Sequence, residues 1–206
     1  MNYLAHAYLS FHQKDILVGN MISDFVKGRR KLDYSPEIQN GINLHRLIDS
    51  FTDSHPVTKE AKEIFRPVYR LYSGSFVDVI YDHFLAIDQG EFNEQSLMIF
   101  TEKTYNTLDD YSNVLPDQFS YLYPYMKTQN WLYNYRYRQG IQKSLGGVVR
   151  RAKYLTESDS AYNLFIENYE YLKSLYHVFF PEVKSLSLEF LKDLEHGQPS
   201  ATKKSS

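Results

Sequence analysis

The stretch SPEIQNGINLHRLIDSFTDSHP, residues 35–56, decides the fold. Leu44, Ile48 and Phe51 recur in it at the spacing i, i+4, i+7, which places side chains on one face of an α-helix. The serine–proline pair at its start is typical of a helix N-terminus, because serine caps free backbone N–H groups and proline suits the first turn. The stretch therefore predicts an amphipathic helix over residues 35–54.

The same helical spacing extends over most of the remaining chain, and glycine and proline are sparse. The fold class that we predict is all-α: a single-domain helical bundle over residues 1–196. We expect a flexible polar tail over residues 197–206, because that segment has no periodicity. The predicted helices cover residues 2–12, 14–28, 35–54, 57–73, 75–88, 93–113, 116–127, 129–137, 139–152 and 160–195.

Composition narrows the functional class. Hydrophobic residues make up 43% of the 206-residue chain, which supports a globular protein. The net charge of −2 argues against a general nucleic-acid-binding protein, which is usually basic. The absence of cysteine excludes thiolate metal sites. No apolar run approaches the roughly 20 residues of a membrane helix, and the start lacks a signal-peptide pattern, so we expect a soluble cytoplasmic protein.

Polar residues of the kind that bind metals occur four positions apart within the first 85 residues. Residues at this spacing lie on one helix face, one turn apart. In the helix over residues 35–54, His45, Asp49 and Asp53 form a stripe at the edge of the core face. Helical bundles commonly build metal sites from such inward-facing carboxylates and imidazoles. The pairs are Asn2–His6, Asn20–Asp24, His45–Asp49, Asp49–Asp53 and Asp78–Asp82.

Each pair also has a simpler interpretation as a surface hydrogen bond or ion pair, worth roughly 0.3–0.5 kcal/mol. Taken together, however, the aspartates would repel one another if they converged without a cation. Oxygen and imidazole ligands suit Mn²⁺, Mg²⁺, Fe²⁺ or Zn²⁺. Motifs for a nucleophilic serine or a phosphate-binding loop are absent. Water activated by a metal ion is therefore the chemistry that the sequence favours.

The doublet Asp82-His83 and a basic run leave alternatives open. Neighbouring residues on a helix point about 100° apart, so either both reach one site, or Asp82 faces the site and His83 is a buried residue of the core or behind the ligands. Lys27, Arg29 and Arg30 are interpreted either as a solvated helix end or as a surface that binds phosphate or an acidic partner. Arg46 is a further candidate for that surface.

Five stretches, in order and with matching intervals, resemble the acyl carrier protein phosphodiesterase family. This family is also called acyl carrier protein hydrolase. The resemblance covers most of the chain and is weakest after about residue 155. The stretches are NYLAHAYLS at 2–10, GNMISDFVKG at 19–28, HRLIDSFTDSHP at 45–56, DVIYDHFL at 78–85 and NWLYNY at 130–135.

The resemblance implies a helical fold related to the HD phosphohydrolases, whose His-Asp doublet this chain has in reversed order. It implies hydrolysis of the 4′-phosphopantetheine group from holo-acyl carrier protein with Mn²⁺ or a similar ion, in the setting of fatty acid biosynthesis. The expected metal ligands are Asp24, His45, Asp49 and Asp82. His83 and His6 are further catalytic candidates, for example as proton donors. We expect Asn20, Asp53 and Asp78 to support the ligands.

Two alternative functions remain open at this stage. The chain is either a phosphohydrolase acting on a nucleotide or another small phosphodiester, or a module that binds carrier protein without catalysis. Charge reversal at Arg29 and Arg30 tests the first alternative. If carrier protein is the substrate, the reversal should reduce turnover of carrier protein far more than turnover of a small phosphodiester, which does not need a basic docking surface. Under the second alternative, Asp24→Ala leaves carrier binding intact and even the wild-type protein forms no product.

Overall fold

The computed structural model describes residues 1–197; the expected tail beyond Gly197 lies outside the described residues. Residues 1–197 contain helices, turns and no β-strand, which confirms the all-α prediction. Short 3₁₀-helices cover Ser23–Phe25, Gly28–Asp33, Arg70–Tyr72 and Ser112–Val114. The α-helices are α1 (Tyr3–Tyr8), α2 (Lys14–Ile22), α3 (Pro36–Ser54), α4 (Pro56–Tyr69), α5 (Ser73–Ile87), α6 (Glu94–Asp110), α7 (Asp117–Thr128), α8 (Trp131–Asn134), α9 (Arg138–Arg151), α10 (Asp159–Glu167) and α11 (Tyr169–Glu195).

Helix α3 begins and ends almost where the sequence predicts. The Ser35 side chain accepts a hydrogen bond from the backbone N–H of Ile38, as expected for a cap. Leu44 and Ile48 are fully buried. The core stripe read from the sequence is therefore correct.

Several predicted helices have different bounds, among them those predicted over 57–73 and 129–137, which end at Tyr69 and Asn134. The predicted helix 14–28 ends at Ile22, and the basic run lies on a separate 3₁₀-helix entered through Gly28, whose φ is +57°. The predicted helix 2–12 ends at Tyr8, because the backbone turns through a left-handed conformation at residues 11–12. The predicted helix 160–195 is two helices, α10 and α11, which meet at Asn168.

Helices α2 and α3 cross in direct backbone contact. A Cβ atom on Gly19 would lie 2.1 Å from the Ile38 carbonyl oxygen and 2.9 Å from the Gly41 Cα. Only glycine at both positions permits this approach. The close crossing places Asn20 of α2 beside His45 of α3.

The remaining helices enclose these two. Helix α1 packs on α2 and α5, and α11 packs across α3, α4 and α5. The core between α5 and α11 is aromatic: the Tyr81 and Phe179 rings stack with centroids 5.0 Å apart. In the part of the chain described by the structure, no helix has both the length and the apolar composition needed to cross a membrane.

Candidate metal centre

His6, His45 and Asp49 converge where α1 meets α3. The His6 Nε2 lies 3.2 Å from one Asp49 carboxylate oxygen, and the His45 Nε2 lies 3.1 Å from the other. The two imidazole rings stack with centroids 3.9 Å apart and planes 15° apart. One ligand atom from each of the three residues lies within 4.8 Å of the others, which is close enough to hold one metal ion.

Asp24, on the short 3₁₀-helix that follows α2, contacts His45 but lies outside the group of three ligand atoms. Its Oδ1 lies 3.2 Å from the His45 Nε2. The side chains of Asp24 and Asp49 are 66% and 41% exposed, whereas those of His6 and His45 are 4% and 7% exposed. The imidazoles therefore form a buried wall, and the carboxylates form an edge that solvent can reach.

Asn20 fixes the orientation of both imidazoles. Its Nδ2 donates to the His6 carbonyl oxygen (2.8 Å) and to the Ser10 hydroxyl (3.1 Å), so its Oδ1 accepts from the His6 Nδ1 (2.8 Å). The His45 Nδ1 donates to the backbone carbonyl of Asn20 at 2.7 Å. Both rings thus carry a proton on Nδ1, and their Nε2 atoms face the carboxylates, as metal-binding histidines commonly do.

The charges in the group are strongly coupled. Burial lowers the pKa of His45, but its hydrogen bonds to Asp24 and Asp49 outweigh burial and raise this pKa to about 9. Burial, followed by the charge on His45, lowers the pKa of His6 to about 4. The hydrogen bond to His45 lowers the pKa of Asp24. Without a metal, the proton on His45 is therefore the main positive charge between two carboxylates.

A neutral His6 leaves an unfavourable contact in the metal-free protein. Its Nδ1 proton is held by Asn20, so the bare Nε2 faces an Asp49 oxygen across 3.2 Å. Two hydrogen-bond acceptors at this distance repel each other unless a cation lies between them. The donor set of imidazole nitrogens and carboxylate oxygens fits a divalent ion such as Mn²⁺, Mg²⁺, Fe²⁺ or Zn²⁺.

Asp82, expected among the ligands, occupies a different position. Its side chain is fully buried and accepts hydrogen bonds from the backbone N–H groups of Asn2, Leu4 and Ala5 at 3.2, 2.7 and 3.2 Å. Burial raises the pKa of Asp82 to about 7, against these hydrogen bonds, which lower it. The contacts make Asp82 the acceptor for the free N–H groups at the start of α1, the helix that carries His6.

His83 also lies outside the group. Its Nδ1 donates to the Tyr135 carbonyl oxygen at 2.7 Å, and its Nε2 lies 3.0 Å from the Tyr169 hydroxyl. Both ring nitrogens are therefore occupied within the protein. The contacts agree with a buried His83, but Asp82 does not face the group of His6, His45 and Asp49 as the second interpretation of the doublet expected.

The two aspartates expected to support the ligands form ion pairs. Asp53 is exposed and pairs with Lys62 at 2.7 Å. Asp78 binds the α-amino group of Met1 at 2.9 Å, and the same amino group lies 3.8 Å from Asp49. Asp78 thus reaches the group indirectly, through Met1, whereas Asp53 makes no hydrogen bond or ion pair with the group among residues 1–197.

The basic residues follow Asp24 closely in the chain. Lys27, Arg29 and Arg30 are exposed and follow Asp24 within six residues. The Arg46 guanidinium donates to the Val26 carbonyl oxygen at 3.1 Å, which ties this segment to α3. A cationic segment therefore follows Asp24, one of the two carboxylates that solvent reaches.

Sequence reasoning gave no role to Ser10. Its hydroxyl donates to the His6 carbonyl oxygen at 2.8 Å and accepts from the Asn20 Nδ2. The available signal was its position four residues after His6, which places it one helical turn away.

Comparison with known proteins agrees with the resemblance. The family profile described as acyl carrier protein phosphodiesterase matches residues 1–183. The chain belongs to the acyl carrier protein phosphodiesterase family. The prediction of family membership is thereby confirmed.

Relatives that carry this name align along nearly their whole length. The Yersinia enterocolitica protein is 32% identical over 186 residues, covering 90% of this chain and 96% of the relative. The protein from Photorhabdus laumondii is 30% identical over 182 residues, covering 88% and 92%. The protein from Escherichia coli O127:H6 is 33% identical over 187 residues, covering 89% and 95%. No solved structure matches the chain, so the expected relation to HD phosphohydrolases stays a prediction.

Proposed function

We propose that this protein hydrolyses the phosphodiester that joins 4′-phosphopantetheine to holo-acyl carrier protein, with a divalent metal ion, preferentially Mn²⁺. The products are apo-carrier protein and 4′-phosphopantetheine. Family membership supports the carrier-protein substrate. One observation supports the metal dependence. The Nε2 atoms of His6 and His45 face the two carboxylate oxygens of Asp49.

The ligands in this proposal are His6, His45, Asp49 and Asp24. A bound divalent ion lowers the pKa of water and offsets negative charge on the phosphoryl oxygens. Binding requires the His45 proton to leave, because a ligating imidazole is neutral at Nε2. Asn20 then holds both rings in the required orientation through their Nδ1 atoms.

Substrate access is consistent with a large partner. The buried histidines exclude water from one side, while Asp24 and Asp49 open to the surface. Lys27, Arg29 and Arg30 provide positive charge beside this opening, and carrier proteins are small and acidic. In the reaction, the water oxygen bonds to phosphorus, the bond to the carrier serine oxygen breaks, and that oxygen takes up a proton.

Purified protein incubated with holo-carrier protein and Mn²⁺ tests the proposal. Mass spectrometry should show conversion to the apo form, and chelation of the metal should stop it. Asp49→Asn should lower the rate at least about 100-fold, because it removes a ligand that contacts both histidines. Asp110→Asn is the matched control, since Asp110 is exposed and pairs with Lys14 at 3.4 Å. If the wild-type protein converts no holo-carrier protein to the apo form with any divalent metal, the proposal is refuted.

A further inference from the structure

A cavity of about 380 Å³ lies between the start of α1, the segment around α8, and one face of α9. Asn2 and Tyr3 line it on the α1 side. Trp131 and Tyr135 form aromatic walls, and Arg151 lies at the α9 side. Its volume is within the range of pockets that bind small molecules.

The cavity adjoins the candidate metal centre through α1. The charges of both Arg151 and Asp24 act on the Tyr3 hydroxyl, whose pKa burial raises to about 12. Tyr3 is therefore near both a cation of the cavity and a carboxylate beside the centre. His6 follows on the same short helix.

The lining combines three kinds of group. Tyr135, which is 2% exposed, contributes an aromatic ring. Asn2 and Gln139 contribute amide side chains. Lys143 and Arg151 contribute positive charge.

One face of α9 leaves room for an extended ligand. Gly140, Ser144 and Gly147, all small, lie on the cavity side of the helix. A Cβ atom on Gly147 would meet, outside the helix backbone, only the tips of the Arg150 and Arg151 side chains, each at 3.6 Å. A larger side chain at this position therefore enters the cavity without striking the backbone.

We propose that this cavity receives the pantetheine arm of the substrate, with the phosphate at the end nearest Arg151 and Asp24. The inference rests on the proposed function. The arm is an amide-rich chain with an apolar dimethyl group, which matches amide side chains set between aromatic walls. Its phosphate is anionic, which matches the cations at the α9 side.

The substitution Gly147→Leu tests the inference. Affinities for pantetheine, which is the arm without phosphate, and for inorganic phosphate are measured by calorimetry with Mn²⁺ present. We expect Gly147→Leu to weaken pantetheine binding at least about tenfold, because the new side chain occupies the space of the arm. Phosphate should bind as in the wild-type protein. In parallel, kcat/KM for holo-carrier protein should fall at least about tenfold, chiefly through KM.

The matched control is Gly146→Leu, on the same helix but outside the cavity lining. It should keep wild-type affinity for pantetheine, and thermal melting shows whether each variant folds. Unchanged pantetheine affinity in folded Gly147→Leu would overturn the inference, as would a wild-type protein that binds no pantetheine. If the wild-type protein binds pantetheine through a Gly147-sensitive site but does not convert holo-carrier protein, the proposed function fails and the cavity assignment stands.

Discussion

Replacing Asn20 with leucine removes the side-chain amide that orients the His6 imidazole while keeping a similar buried volume; the backbone carbonyl that accepts from His45 remains. Three side-chain hydrogen bonds are lost, two to His6 and one to Ser10. At about 1 kcal/mol each, their loss should lower the free energy of unfolding by about 3 kcal/mol. The His6 carbonyl keeps the Ser10 hydroxyl as a donor, so the His6 Nδ1 is the group left without a partner.

The same substitution should weaken Mn²⁺ binding about 10–100-fold, the usual effect of losing a group that orients a ligating histidine. Urea unfolding measures the first effect, and calorimetric titration with Mn²⁺ measures the second. Thr104→Val is the control, because it removes a buried hydrogen bond to the Phe100 carbonyl oxygen in α6. It should cost about 1 kcal/mol and leave Mn²⁺ affinity unchanged. Wild-type Mn²⁺ affinity in folded Asn20→Leu would refute the reasoning.

Three further predictions concern residues around the centre. Burial lowers the pKa of His83 to about 4. Since an unfolded histidine titrates near 6.5, the stability present above pH 6.5 should fall by about 3 kcal/mol between pH 6.5 and 4. His83→Phe should reduce the change in the free energy of unfolding between pH 6.5 and 4 relative to the wild-type protein. An unchanged pH dependence would contradict the low pKa of His83. Asp82→Asn should lower the free energy of unfolding by about 1–3 kcal/mol, because an amide nitrogen replaces an acceptor of backbone N–H groups; urea titration checks this. Reversing Arg29 and Arg30 to glutamate should raise KM for holo-carrier protein, most strongly at low salt, whereas Lys103→Glu on α6 should not. Equal effects of the two reversals would speak against a docking surface.

Local sequence patterns predict the fold class and part of the candidate metal centre. The stripe of Leu44 and Ile48 fixed which face of α3 is buried, because burial follows the helical period. The same period placed His45 and Asp49 one turn apart, and their side chains approach to 3.1 Å. These features depend on neighbours within one helix, so the sequence alone predicts them.

The contribution of α1 depends on contacts between distant segments. His6 reaches Asp49 only because α1, α2 and α3 cross where Gly19 and Gly41 let the backbones touch. Asp82 has the residue type of a metal ligand, yet its partners are backbone N–H groups about 80 positions earlier in the chain. Residue type and helical spacing do not reveal such partners. The sequence alone therefore did not show whether Asp82 binds a metal ion or caps the N-terminus of α1.

The break between α10 and α11 was missed for a related reason. The apolar period continues through Asn168, where the backbone leaves the helical conformation at φ −109° and ψ 20°. No glycine or proline marks the position. Asn168 is a weaker stop signal than glycine or proline, and the apolar period continues past it, so the sequence analysis predicted one helix.

Anomalous diffraction from crystals grown with Mn²⁺ tests the central claim most directly. The account predicts a peak in contact with the Nε2 atoms of His6 and His45 and with carboxylate oxygens of Asp49 and Asp24. Both histidines should keep their Nδ1 hydrogen bonds at Asn20. A peak elsewhere, for example beside the doublet at residues 82–83, or no peak in a protein that converts holo-carrier protein, would contradict the account.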